Sequence, residues 1–99
     1  MINMNYPFNL LEKLNIQTDE DHAIALCSAI KCLHERERDI IKRRFQKDQS
    51  RQEVANDYQL SYERIRQIEN RALKKLSSPL LRNYIEEHCS KTKEFGRNA

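Results

Sequence analysis

Between residues 61 and 76 the chain reads SYERIRQIENRALKKL, a run dense in guanidinium, amide and carboxylate groups. These groups suit nucleic-acid recognition. Arg matches the paired acceptors of guanine, Gln or Asn the acceptor–donor pair of adenine, and Glu accepts from cytosine. Spacing sorts them. At about 100° per residue and with Glu63 at zero, Gln67, Asn70 and Lys74 fall within about 40° of it and Arg66 about 60° away. Ile65, Ile68 and Ala72 fall on the far side, between about 140° and 200°. One helix therefore carries an apolar stripe for a core and a polar stripe able to read base edges.

Such a helix needs a second helix to brace it. Ser50 and Glu53 form a capping-box pair that opens a helix over 51–58, with Val54, Ala55 and Tyr58 turned inward. Gln59-Leu60 makes the turn with Leu60 tucked inside, and Ser61 caps a helix running to about Leu76. The pattern is a helix-turn-helix with the recognition helix second. Upstream, Thr18 with Asp21 resembles another capping box, and Ala23, Leu26, Cys27, Ile30 and Leu33 share a face of a helix over 19–33. A helix over 35–45 follows, with Ile40, Ile41 and Phe45 inward. Its acidic residues come first and Lys42, Arg43 and Arg44 last, as the macrodipole favours. Ser78 and Pro79 restart the chain as N-cap and first helical residue, giving a final helix through Leu80, Leu81, Tyr84 and Ile85 to near His88. Residues 1–17 fit either an arm that orders on a partner or a short helix, 18–89 form the domain, and 90–99 read as a tail. The expectation is an all-α fold, a small domain of four to five helices containing a helix-turn-helix.

Composition narrows the functions open to it. Ninety-nine residues allow one domain, and 38% hydrophobic residues suffice for a small core. The only Gly is Gly96, so no Gly-rich phosphate loop exists. Formal charge is +3 overall but uneven: residues 1–33 carry −2, residues 34–76 carry +4 and residues 77–99 carry +1. The excess positive charge belongs to the helix-turn-helix segment. No secretory leader or run of about 20 apolar residues is visible, so no membrane partner is expected. Cys27, Cys32 and Cys89 are odd in number and irregular in spacing, which points to a reducing, cytoplasmic setting.

Other clusters carry less. Cys27, Cys32, His88 and Cys89 offer metal-ligating atoms, but Cys27 and Cys32 diverge by about 140° on one helix, and Cys27 reads as a small buried residue. His22 and His34 stand near helix starts and read as solvated. No nucleophile–base or paired-carboxylate arrangement is present. No metal, cofactor, small-molecule substrate or enzymatic activity is expected.

The strings Leu33-His34-Glu35-Arg36-Glu37-Arg38-Asp39-Ile40-Ile41, Arg44-Phe45, Glu53-Val54-Ala55 and Ser61-Tyr62-Glu63-Arg64-Ile65-Arg66-Gln67-Ile68-Glu69 together resemble region 4 of bacterial primary sigma factors. Ala72-Leu73-Lys74-Lys75-Leu76 and Leu81-Arg82-Asn83-Tyr84-Ile85 resemble its closing part. The likeness covers residues 33–88. It implies that the recognition helix enters the major groove of the minus-35 promoter element. Glu63 and Gln67 would read bases, and Arg64 and Arg66 would meet phosphate or flanking bases. Arg36 and Arg44 would grip the backbone, and Tyr62, Asn70, Ser50 and Gln52 would complete the DNA-facing set. It implies a second surface for the flap of the RNA polymerase β subunit, for which Ile40, Ile41, Phe45, Val54 and Tyr58 are candidates. Arg71 and Lys74 match positions that meet activators.

Three departures bear on this. Tyr62 stands where primary sigma factors usually have an Arg, and tyrosine lacks its bidentate fork. The connection 46–50 is shorter. Nothing in these residues resembles the region that melts the downstream promoter element, so by itself the chain is not expected to open DNA. One helix-turn-helix buries only about 600–1,000 Å² on DNA, which favours delivery by a larger assembly. The leading expectation is a stand-alone sigma region 4-like regulator binding promoter DNA and polymerase. It would pair with a separate sigma-like subunit or compete with a resident region 4. The alternatives are a self-contained dimeric repressor or activator, and an interaction protein that holds polymerase or an anti-sigma factor without touching DNA.

Overall fold

The computed structural model describes residues 2–87. Six α-helices and no strand occur among the described residues: α1 (Phe8–Lys13), α2 (Glu20–Ile30), α3 (Glu35–Ile41), α4 (Arg51–Tyr58), α5 (Tyr62–Ser77) and α6 (79–87). The all-α, helix-turn-helix fold is as expected, with α4 and α5 as the pair.

Local chemistry sets the boundaries. Ser50 and Glu53 form the capping box of α4, and Ser61 accepts from the Arg64 backbone N–H to open α5. Between them Gln59 takes the left-handed conformation, φ 56° and ψ 40°, which turns the chain tightly enough for Leu60 N–H to reach Ala55 O at 3.0 Å. Three expectations fail around α2. Asp19, not Thr18, is the N-cap, accepting from His22 N–H at 2.8 Å and contacting His22 Nδ1 at 2.7 Å. That contact holds His22 buried rather than solvated. The inner stripe of α2 is His22, Ala25, Leu26, Ala29 and Ile30, the i, i+3, i+4, i+7, i+8 pattern, with Ala23 buried at its edge as expected, whereas Cys27 lies off it, exposed.

Nor is α3 regular to its end. Residues Lys42–Gln46 widen into a π-helix, with Lys47 N–H bonded to Lys42 O at 3.0 Å. In α6, Ser78 caps the start, Leu81 and Tyr84 are half-buried and Ile85 is buried. Leu80 lies in the first turn facing solvent.

Two apolar clusters hold the helices, and α3 divides them. Ile40 joins Val54, Ala55, Ile65 and Ile68 beneath the helix-turn-helix, with Tyr58 and Leu60 closing the edge. Ile41, its neighbour, faces the other way into the larger cluster. There Leu10, Leu11, Leu14 and Ile16 meet Leu26 and Ile30 of α2, Ala72 and Leu76 of α5, and Ile85 of α6. Residues 8–16 thus form part of the core. Polar bonds fix them further: Asn9 Nδ2 donates to Phe45 O at 3.0 Å and Arg82 Nη2 to Asn15 O at 3.0 Å. Each fully buried Leu contributes about 1.5–3 kcal/mol over exposure, so α1 adds substantially to the stability of the whole.

Candidate nucleic-acid interface

The two faces of α5 are cleanly separated. Ile65, Ile68, Glu69, Ala72 and Leu76 are buried, while Glu63, Arg64, Gln67, Asn70, Arg71 and Lys74 are exposed. The polar stripe expected from spacing therefore faces outward as one surface. Within it the Arg66 guanidinium is forked onto the Glu63 carboxylate, and Arg64 Nη1 lies 3.5 Å from Gln67 Oε1. These exposed contacts exchange readily for contacts to a ligand, because exposed ion pairs are worth only about 0–1 kcal/mol.

Glu69 interrupts the apolar side, and the sequence reading gave it no role. It is 1% exposed and held by two arginines. Arg44 Nε donates to Oε1 at 2.7 Å, and Arg51 donates to Oε2 at 3.0 Å and Oε1 at 3.3 Å. Burial raises its pKa, but the bonds from Arg51 and Arg44 outweigh that and leave the carboxyl below its ordinary range. Arg44 also donates to Gln49 O at 2.8 Å, and Arg51 Nη1 reaches Tyr62 Oη at 3.3 Å. One buried carboxylate in the middle of α5 thus ties that helix to the π-helical turn and to the start of α4, and Arg51 carries the link on to Tyr62 in the first turn. The Glu69 bonds push the Arg51 guanidinium pKa up. Because the Tyr62 hydroxyl accepts from Arg51, its own proton is left to donate outward. In place of the Arg fork usual in the family it resembles, the surface offers a single hydroxyl at Tyr62.

The remaining expected contacts divide. Arg36 is exposed beside the recognition pair, its guanidinium 5.5 Å from the Tyr58 ring centroid, and Arg43 lies at the same distance. The Tyr58 hydroxyl donates to Asp39, and burial and then that bond push its pKa up to about 12. Gln52 is exposed and bonded to Asn56 at 3.0 Å, whereas the Ser50 hydroxyl oxygen is occupied by the cap. Arg44 is engaged with Glu69 rather than projecting freely. Of the apolar partner candidates, Ile40, Ile41 and Val54 are fully buried, so their side chains build the core and present no surface. Phe45 and Tyr58 remain half-exposed. Of the imagined metal ligands, Cys27 and Cys32 are exposed free thiols, and His88 and Cys89 lie outside the described residues.

A two-helix unit with an apolar inner side, a left-handed turn residue and an outward basic and amide face defines a helix-turn-helix of the DNA-binding class. The comparisons carry the assignment to a family. The model for Sigma-70, region 4 matches residues 29–78. The chain belongs to this family. Among curated proteins, it is 34% identical over 86 residues to RNA polymerase sigma factor RpoD of Helicobacter pylori, across 78% of this chain and 13% of that protein. It is 37% identical over 86 residues to RNA polymerase sigma-C factor of a Nostoc species, across 83% of this chain and 19% of the relative. The chain therefore spans less than a fifth of the length of these relatives. No solved structure matches it significantly.

Proposed function

We propose that this domain reads promoter DNA of the minus-35 type through α5 while bound to bacterial RNA polymerase. The observation that carries this is the separation of α5 into a buried apolar side and an exposed Glu63–Arg66–Gln67–Asn70 face, in a family whose matched relatives are RNA polymerase sigma factors. Gln67, Glu63 and Asn70 take base edges, the oriented Tyr62 hydroxyl donates to a base or phosphate oxygen, and Arg64 and Arg66 take phosphate or flanking bases. Arg36 reaches the backbone from α3. The half-exposed rings of Phe45 and Tyr58 offer the polymerase β flap an apolar contact, which the buried Ile40, Ile41 and Val54 support from beneath. Arg71 and Lys74, exposed in the C-terminal half of α5, lie beyond this base-reading set. A separate sigma-like subunit supplies promoter melting, or an anti-sigma factor competes for the same surface.

Selection of duplexes from a randomised pool by the polymerase-bound protein, followed by binding titrations, tests this. Gln67→Ala should cost about 1–3 kcal/mol on the selected site and relax preference at one position. Arg66→Ala should weaken all duplexes and reduce the salt dependence. Unaltered binding by both variants, or no association with polymerase, would overturn the reading.

A further inference from the structure

Alongside the DNA-reading face of α5 runs an open groove of about 660 Å³ that the helix-turn-helix does not form alone. One wall is α5, through Gln67, Asn70, Arg71 and Lys74; the other is the end of α1, through Lys13 and Leu14. None of its lining residues is acidic, and three are cations. Four arginines of the helix-turn-helix segment are held in ion pairs: Arg43 by Asp39 and Asp57, Arg44 and Arg51 by Glu69, and Arg66 by Glu63. By contrast, Lys13, Arg71 and Lys74 are exposed and make no ion pair with a described residue. The neighbouring Glu12 is exposed and does not line this groove; it lines a second hollow, with Asn5, Asn9 and Phe45, that Lys13 also borders. Lys13 is also well anchored: Leu14 is buried in the core, and Arg82 holds the carbonyls of Leu14 and Asn15 at 3.5 and 3.0 Å.

We propose that this groove receives the sugar-phosphate backbone flanking the bases read by α5, with Lys13, Arg71 and Lys74 neutralising phosphates. The inference rests on the reading of α5 given above and extends the interface to α1, outside the residues the family model matches. Distances agree. Gln67 to Lys74 spans about 10 Å of helix axis, close to three base-pair steps of about 3.4 Å. Amide groups at one end of the groove and cations at the other match base edges giving way to backbone. Lys13 is one of only two cations among the first 33 residues, which carry a net −2.

The test is fluorescence anisotropy of the whole chain with a fluorescein-labelled 30-base-pair duplex of mixed sequence, titrated at 50–200 mM KCl. Wild type is compared with Lys13→Ala, Lys13→Glu and Arg66→Ala, with circular dichroism confirming the fold of each. Lys13→Ala should bind more weakly at low salt and lower the slope of log K against log salt by about 0.9 per phosphate lost. The wild-type advantage should then shrink about three- to four-fold between 50 and 200 mM. Lys13→Glu should fall further, and equally on different duplex sequences, as a backbone contact requires. If Lys13→Ala and Lys13→Glu match wild type in affinity and slope while Arg66→Ala is weakened, the backbone assignment is overturned and the reading of α5 stands. The groove would then belong to an acidic protein surface. If wild type binds no duplex, both readings fall.

Discussion

At the scale of single residues, Glu69 has the largest leverage for the least visibility. In the sequence it is one more charged residue in an exposed-looking helix, and only the fold shows it 1% exposed beneath Arg44 and Arg51. Spacing identified the outward set of α5 correctly because a helix face depends only on local geometry. The partners of Glu69 lie 18 and 25 residues away, which no local rule reaches. The same distance effect explains Arg44: its position suggested a phosphate contact, and its pairing with Glu69 makes it a brace. Removing the carboxylate by Glu69→Ala should cost about 3 kcal/mol, the low end for a broken buried pair, because both arginines keep partial access to water. The pH dependence follows from its lowered pKa. Its stabilisation is complete above the ordinary carboxylate value of 4.5 and is lost as pH falls through the lower folded value. Urea midpoints of wild type should therefore drop steeply below about pH 4.5. Those of Glu69→Gln should start lower and drop less, so that the two curves converge in acid.

At the scale of elements, what was legible was whatever a short motif encodes. Ser50 with Glu53 placed the start of α4, and Ser61 that of α5, because side-chain caps act over three residues. The beginning of α2 was misjudged by one residue because Thr18 and Asp19 both offer a capping oxygen, and only the burial of His22 selects Asp19. The π-helical turn at Lys42–Gln46 has no sequence signature. It is sustained by tertiary bonds from its arginines to Asp57, Glu69 and Gln49. The turn between α4 and α5 holds the sharpest element-scale test. Gln59 sits at φ 56°, where a Cβ costs about 1–2 kcal/mol, and its side chain is exposed. Gln59→Gly removes that strain and returns about 0.4–1 kcal/mol as extra unfolded-state entropy. The net expectation is a gain of about 0.5–1 kcal/mol by difference, read as a higher urea midpoint with unchanged slope. A lower midpoint would mean that the Gln59 side chain does more than tolerate the turn.

At the scale of the whole molecule, the N-terminal segment decides how the family domain is held. The sequence left residues 1–17 open between an arm and a helix, since six helical residues are too few to show a period and Leu10-Leu11 shows no alternation. Its partners, Leu26, Ile30, Leu76 and Ile85, come from helices throughout the chain, so only the assembled fold reveals the fit. An arm that orders on a partner and a helix that closes the core differ sharply in one mutation. Leu11 is fully buried, and Leu11→Ala leaves a cavity in the larger cluster, with an expected cost of about 2–5 kcal/mol. For an arm the cost would be near zero. Because the larger cluster includes Ala72 and Leu76, the loss should not stay local. Hydrogen exchange should speed up in the C-terminal half of α5 as well as in α1, while amides of α4, which pack on the other side of α3, keep more of their protection. Loss confined to residues 8–16 would mean that α1 is an appendage and that the wall it gives to the groove beside α5 is not fixed. Joint loss in α1 and α5 would mean that the recognition helix is held at its C-terminal half by a segment outside the helix-turn-helix, so that changes at Leu10, Leu11 or Leu14 alter DNA binding without touching it.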